Sequence, residues 1–368
     1  MSGSQLKAAI LARHVNNELL LAPTLMPVAA EPNDLSADQP TMQPAAAIIE
    51  FVTDALKAGQ THYVDVPGIP SLRQALAEFL QSTGLNGVDV SNVLVTAGMQ
   101  ETRFLSIQQL GRLLGPVALP DVVHPGARKA LGIRPLVSAA QLPTDPAAGF
   151  LPTLDGIRAA LEDGARVLFL ESPVRLTGKA FPREAVAAIA RLAVQFQAAV
   201  IWDQGLAPWV ESYTSVWNEP GMNSLAVVLG EAFPGVGIEA WYIGYVATAN
   251  KEWWEKIRRD KQAICICTST ADQLAAIKAA DLYGSLHVAQ RARLAVLRQQ
   301  AVAKLKNRVV PGDAVSVVAV KLPDVLALPP LRKGGFDLAD GTDFGACGVI
   351  RLAVTEGNQI AEAIELLR

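Results

Sequence analysis

With 368 residues, 51% of them hydrophobic and 18% charged, the chain is long enough to bury a large core and too apolar to be intrinsically disordered. The formal net charge of −3 and the scattered basic residues argue against nucleic acid as a partner. No uncharged apolar run approaches the ~18 residues of a membrane span, so we expect no membrane association.

The numbers and positions of the cysteines and histidines argue against a disulfide-stabilised protein and against a metal-binding protein. Cys265, Cys267 and Cys347 are too few for a disulfide framework, which agrees with a reducing, cytoplasmic compartment. Cys265 and Cys267 could form half of a metal site, but the four histidines are scattered along the chain. We therefore expect ordinary packing there and no metal.

The hydrophobic pattern predicts alternating strands and helices between about residues 45 and 250, after an irregular lead-in at 22–45. The predicted elements of this part are a strand at 93–96, a helix from Gly98 to about Leu114, a strand at 166–170, a helix from Ala185 to Phe196, and a strand at 199–202 that ends at Asp203. The later elements are a long helix at about 270–307 with a break near Tyr283 and Gly284, strands at 315–320 and 348–354, and a last helix at 359–368.

This order of elements predicts an α/β fold in two parts. A large three-layer α/β/α domain with a mainly parallel sheet is expected at residues 45–270. Both chain ends, 1–44 and 271–368, are expected to combine into a small α+β domain.

Several motifs in the first half of the chain carry possible chemistry. Tyr63 precedes Gly68 and the pair Leu72-Arg73 at fixed spacing. In Val95–Glu101 a strand, a glycine and a helix come one after another, so that Gly98, Met99 and Gln100 form a helix N-terminus. Such a terminus presents N–H groups and a positive dipole end to an anion. His124 lies in the turn Pro120-Asp-Val-Val-His124-Pro-Gly-Ala127.

Further motifs lie in the second half. They are Glu171-Ser-Pro-Val-Arg175-Leu-Thr-Gly178, Asp203-Gln-Gly-Leu206, the segment 224–245 with Glu231 and Ile243-Gly-Tyr245, the turn Gly341–Gly345, and Arg351 in the last strand. In this order and spacing, all these motifs resemble those of the class I/II aminotransferases, the fold-type I enzymes that use pyridoxal phosphate (PLP). The resemblance runs from about residue 45 to the end.

The resemblance implies the fold of the PLP-dependent transferases (aspartate aminotransferase fold type I) and a site for PLP. It implies phosphate contacts from Gly98, Met99 and Gln100. It also implies ring contacts from His124 and Arg175, and an ion pair between Asp203 and the pyridinium nitrogen, which is what makes PLP an electron sink.

The resemblance also implies a substrate site and a partner. Arg351 corresponds to the arginine that clamps an amino-acid α-carboxylate, where planar bidentate geometry favours arginine, and Arg175 would add a second cation. Tyr63 corresponds to the tyrosine that reaches the cofactor phosphate of the neighbouring subunit. A homodimer and a small amino-acid or carboxylate ligand are therefore expected.

Glu231 is the main departure from the family pattern, because it stands where the family has the lysine that forms a Schiff base with PLP. The family's phosphate-binding arginine falls at Glu239 or Tyr242, and its ring-binding tyrosine at Leu206. At ~4 Å and an effective dielectric near 20, each carboxylate–phosphate contact would cost about 4 kcal/mol. We therefore predict weak or absent PLP binding and no internal aldimine, hence no ordinary transamination.

Three functional hypotheses remain open for this sequence. The chain could be an aminotransferase-like pseudoenzyme whose cleft binds an amino acid or carboxylate. It could catalyse altered chemistry, without PLP or with PLP held non-covalently, through the acid–base groups of Glu231, Asp203, His124 and Glu239. It could also be an inactive structural subunit of a dimer.

Overall fold

The computed structural model of the protein describes residues 34–37, 42–133, 138–322, 335–355 and 359–366. The chain divides into two units, Met1–Asp34 and Leu35–Arg368, and the second unit contains nearly all of the described residues. None of the helices in the described ranges is long and apolar enough to cross a membrane.

Strands and helices alternate over most of the second unit. The helices are α1 (Ala46–Lys57), α2 (Pro70–Ser82), α3 (Gly98–Leu114), α4 (Pro125–Gly132), α5 (Leu154–Glu162), α6 (Arg183–Phe196), α7 (Lys251–Cys265), α8 (Thr270–Leu305), α9 (Gly341–Phe344) and α10 (Gln359–Leu366). The strands are β1 (Asp34–Leu35), β2 (Val93–Ala97), β3 (Val117–Pro120), β4 (Ala139–Leu142), β5 (Thr144–Asp145), β6 (Leu151–Pro152), β7 (Val167–Glu171), β8 (Ala199–Asp203), β9 (Ala226–Glu231), β10 (Ile243–Ala247), β11 (Val317–Lys321), β12 (Asp337–Asp340) and β13 (Val349–Ala353).

A seven-stranded sheet, in the order β2-β10-β9-β8-β7-β3-β4, forms the centre of the unit. The neighbours from β9 to β4 pair in parallel, whereas β10 is antiparallel to both β9 and β2. A second sheet has the order β1-β12-β13-β11, and most of its buried side chains belong to a second hydrophobic cluster. The mainly parallel sheet predicted from the sequence is therefore confirmed.

Residues of one strand alternate between two hydrophobic cores, because successive side chains of a strand point to opposite faces. In β8, Ala199 and Ile201 contribute to the cluster that contains residues of α3 and α7. Val200 and Trp202 contribute to the cluster that contains residues of α2, α5 and α6. The sheet is thus covered by helices on both faces, which explains why its central strands are continuously apolar.

Most predicted elements are found within one or two residues of their predicted bounds, but the break in the long helix is wrong. Helix α8 runs unbroken through Tyr283 and Gly284. The Tyr283 ring packs edge-on against Phe79 at 5.1 Å and stacks on His287 at 4.8 Å, so tertiary contacts offset the weak helix propensity of Gly284. The division into domains at residues 45–270 stays a prediction.

The turn before α2 provides a test of backbone constraint. Gly68 has φ +104°, and a Cβ there would overlap the Val95 side chain of β2. Gly59 has φ +83°, with nothing within 4 Å of such a Cβ. We expect Gly59→Ala to cost about 1 kcal/mol through backbone strain alone, and Gly68→Ala about 3 kcal/mol because overpacking adds to strain. Chemical denaturation measures both, and equal losses would contradict the packing argument.

Candidate functional site

Three carboxylates meet at one edge of the central sheet. Strands β7, β8 and β9 are parallel and end at Glu171, Asp203 and Glu231. Glu171 lies directly opposite Asp203 in the register, and Asp203 lies opposite Leu229, two residues before Glu231. Because the carboxyl ends of parallel strands lie at one edge, chain topology alone brings these groups together.

Arg175 connects two of these carboxylates. Its guanidinium Nη2 lies 3.1 Å from Asp203 Oδ1, and its Nη1 lies 3.5 Å from Glu231 Oε1. The Arg175 and Asp203 side chains are both 0% exposed, whereas the Glu231 side chain is 20% exposed. A Cβ at Gly205 would overlap the Arg175 guanidinium, so glycine is needed there for the arginine to approach the backbone.

Arg103, from the second turn of α3, binds the other oxygen of Asp203. Its Nε and Nη2 both donate to Asp203 Oδ2, at 3.1 and 2.9 Å, and these hydrogen bonds are strengthened by the two charges. The Gly205 amide also donates to Asp203 Oδ1 at 3.1 Å. Burial raises the pKa of Asp203, but the charges of Arg175 and Arg103 outweigh burial and hold it below its ordinary value. Asp203 is therefore ionised and held from both sides.

Glu171 is the third carboxyl group and links the cluster to His124. Its Oε1 accepts the His124 backbone N–H and its Oε2 accepts the Arg175 backbone N–H, both at 2.9 Å. Burial, and then the charge of Asp203, raise the pKa of Glu171 to about 7. With Glu171 protonated, two guanidiniums balance the carboxylates of Asp203 and Glu231, so the group carries no net charge.

The imidazole of His124 is turned toward its own helix. His124 caps α4, its Nδ1 accepting from the Gly126 N–H at 3.0 Å, and its ring packs edge-on against Phe344 at 5.7 Å. Gln100 joins the same region, because its Nε2 donates to the Gly126 carbonyl at 3.0 Å.

Two side chains of the chain itself, those of Glu101 and Tyr242, lie at the N-terminus of α3. The Ala97 N–H donates to Glu101 Oε2 at 2.5 Å. Ala97 directly precedes Gly98 and Met99, so the amide at the start of the helix already has a carboxylate partner. Tyr242 lies against Gly98, where an added Cβ would come within 3.2 Å of the tyrosine Cβ. Of the two positions open for the family's phosphate-binding arginine, Tyr242 contacts this terminus. Glu239 instead accepts the Gly235 N–H at 3.1 Å.

Arg351 lies in β13, and two of its donors reach backbone oxygens. Its Nη1 donates to the Arg175 carbonyl at 3.2 Å and its Nη2 to the Ser36 carbonyl at 2.5 Å. The guanidinium carbon lies 5.3 Å from the centre of the Phe344 ring. Arg351 is thus buried next to the carboxylate cluster, and the substrate role expected from the sequence stays a prediction.

Tyr63 lies outside this cluster. It is 82% exposed and lines an open cavity of about 540 Å³ with residues such as Phe51, His62 and Thr270. Its expected contact across a dimer stays a prediction. Among the described residues, no group of three or more His, Cys, Asp or Glu side chains could hold a metal ion.

Sequence reasoning missed two members of the cluster, Arg103 and Glu171. The sequence could have indicated Glu171, because this residue is a carboxylate at the carboxyl end of a buried strand, as Asp203 is. Arg103 had none, since nothing in the sequence indicates that an arginine five residues after Gly98 points toward another strand. Arg175, Asp203 and Glu231 lie together in this cluster, and the roles expected for them from the sequence stay predictions.

The central sheet and the charged groups at the carboxyl ends of its strands define the class of protein. It is an α/β protein with the aspartate aminotransferase fold of type I: a seven-stranded, mainly parallel sheet plus a small domain. The model of the family described as aminotransferase class I and II matches residues 31–326, and the chain belongs to that family.

Individual relatives agree with this assignment. The aspartate/prephenate aminotransferase of Thermus thermophilus is 27% identical over 354 residues, covering 90% of this chain and 89% of the relative. The N-succinyldiaminopimelate aminotransferase of Mycobacterium tuberculosis has a structure similar to this one, with a TM-score of 0.83 at 20% identity, covering 91% of this chain and 92% of that one. The second similarity concerns the fold alone.

Removing the central carboxylate tests the cluster. We expect Asp203→Asn to lower the free energy of unfolding by about 3–5 kcal/mol, because two buried guanidiniums lose their shared anion. The control is Asp281→Asn, which breaks the exposed pair with Lys278 and should cost less than about 1 kcal/mol. Urea denaturation at neutral pH measures both, and similar costs would contradict the described pairing.

Glu171 gives the protein a pH dependence. Between about pH 4.5 and 7 the folded protein keeps the Glu171 proton that the unfolded chain has lost, so the free energy of unfolding should fall as pH rises through this window. Glu171→Gln should flatten this slope, while the exposed Glu162→Gln should retain it. Denaturation midpoints measured at several pH values provide the test, and an unchanged slope in Glu171→Gln would refute the assignment.

Proposed function

We propose that this class I/II aminotransferase family protein binds an amino acid or a related small amine in its cleft and does not carry out lysine-dependent transamination. The observation that carries the proposal is the buried Arg175 guanidinium, which pairs with both Asp203 and Glu231. Because the charges of this cluster already pair with one another, its side chains are not available to bind the cofactor.

The residues of the cleft do not fit PLP held in the manner of the family. The carboxylate expected to pair with the pyridinium nitrogen, that of Asp203, already accepts N–H groups of Arg103 and Arg175 on its two oxygens. Glu231 supplies a carboxylate where an amine would be needed. Beside Gly98, the aromatic ring of Tyr242 replaces a cation, and Glu101 takes the Ala97 amide. These contacts support weak or absent PLP binding.

Glu231 is the part of the cluster that a solute can reach. Its side chain keeps 20% of its surface, whereas Asp203 and Arg175 keep none. A carboxylate suits a protonated amine, and Arg175 behind it holds its position. Relatives named as aspartate/prephenate aminotransferase and arginine–pyruvate transaminase support amino acids as the ligand class. We also propose a homodimer with Tyr63 at the subunit contact.

A structural role is the second candidate. Two nitrogen atoms of Arg351 donate to the backbone carbonyls of Arg175 and Ser36, so the arginine expected to clamp a ligand carboxylate serves contacts within the chain. This observation favours a closed cleft and an inactive subunit of a dimer.

An absorbance scan with added PLP tests the loss of the Schiff base. We expect no band that borohydride can fix to the protein, because Glu231 has no amine. A family member that retains the lysine serves as the positive control. A fixed adduct on wild type would overturn this part of the proposal and show that another lysine serves.

Thermal shift with free amino acids separates the two roles. We expect an amino acid to raise the melting temperature of the wild type, and Glu231→Gln to abolish the shift while the corresponding deaminated carboxylic acid has no effect on either protein. Arg351→Ala tests whether the ligand carboxylate reaches that residue. If no amino acid shifts the wild type, the binding role is refuted and the structural role is favoured.

A further inference from the structure

A second cluster of reactive side chains lies away from the carboxylates of the sheet edge. Lys261 is in α7, and its side chain is 0% exposed. Its Nζ lies 2.9 Å from Glu101 Oε2, 3.0 Å from Thr268 Oγ1 and 3.4 Å from Cys265 Sγ. Cys265 Sγ in turn donates to Glu101 Oε1 at 3.1 Å. An amine, a thiol and a carboxylate are therefore in mutual contact.

Helix geometry and burial hold this arrangement. Lys261 and Cys265 are four residues apart in α7, so their side chains lie on the same face. Glu101 belongs to the first turn of α3, which packs against α7, and it fixes both groups from the opposite side. The lysine is enclosed, whereas the cysteine is only partly buried. An oxidant can thus reach the sulfur while the nitrogen remains next to it.

We propose that Lys261 and Cys265 form a covalent nitrogen–sulfur cross-link when the protein meets a peroxide. The cluster is a modification site independent of the function proposed for the cleft. The sulfur and nitrogen are 3.4 Å apart, so rotation about side-chain bonds is all that closure of the link requires.

The chemistry balances with one peroxide. The Cys265 thiol attacks the peroxide, the O–O bond breaks, and a sulfenic acid and one water form; sulfur loses two electrons and the peroxide gains them. The Lys261 ammonium gives a proton to Glu101, and its amine attacks the sulfur. The S–O bond breaks, and a second water leaves. In total, an ammonium, a thiol and hydrogen peroxide give an N–S bond, two waters and one released proton.

The link changes a charge near the cleft. Lys261 loses its positive charge on forming the bond, and Glu101 loses that partner. Glu101 also accepts the Ala97 N–H at the start of α3, next to Gly98. The oxidation therefore changes the electrostatic environment of the helix terminus that borders the candidate site.

Peptide mapping after peroxide treatment tests the link. The Cys267→Ser variant is used as the starting protein, because a disulfide between Cys265 and Cys267 would have the same mass change. We expect trypsin to leave Lys261 uncut and to yield the peptide 260–278 with the mass of two hydrogens missing. A thiol reductant should restore the normal mass and cleavage. Burial and Glu101 raise the pKa of Cys265, so the reaction should be faster at about pH 9 than at about pH 7.

Two matched variants control the result. Lys261→Arg keeps a cation beside Glu101, and Cys265→Ala removes the sulfur; in both, still in the Cys267→Ser protein, the linked peptide should disappear. Circular dichroism checks that each variant is folded, and Cys265→Ser replaces Cys265→Ala if the latter is not. A Cys265 oxidised to sulfenic or sulfinic acid beside a normally cleaved Lys261 would overturn the proposal, and so would a Cys265 that peroxide leaves unchanged.

Discussion

The need to neutralise carboxylates at the edge of a parallel sheet constrains the whole candidate site. Glu171 and Asp203 end adjacent strands in register, and Glu231 ends the next one. Burying such charges without partners would cost many kcal/mol, so the chain must supply cations or keep a proton. It does both, with Arg103 and Arg175 as cations and with a pKa of about 7 at Glu171.

The pairing of these charges also depends on a glycine. Arg175 can reach Asp203 and Glu231 only because glycine at 205 leaves room for its guanidinium. Arg103 and Arg175 together then occupy both oxygens of Asp203. Arg175 and Glu231 depend on each other in the same way, because each charge stabilises the other. A lysine at 231 would place a second cation beside Arg175.

The pair Lys261 and Cys265 is a second place where a buried charge is neutralised by a partner. Lys261 is enclosed and is held by Glu101, the same residue that caps the start of α3. Buried charges here connect α7 to α3, and α3 borders the carboxylate cluster through Arg103. A chemical change at Cys265 would therefore affect α3, the helix that also supplies Arg103 to the carboxylate cluster.

Hydrophobic periodicity is a local property of the chain, and it was enough to predict the α/β class and most bounds of the elements named from the sequence. Arg175, Asp203 and Glu231 were named through the resemblance to the aminotransferase family, and their roles stay predictions. Three outcomes became visible only in the folded chain: α8 continues through Tyr283, Arg103 reaches Asp203, and Arg351 turns to backbone carbonyls. Those outcomes depend on contacts between residues far apart in the chain. Spacing along the sequence carries no information about them.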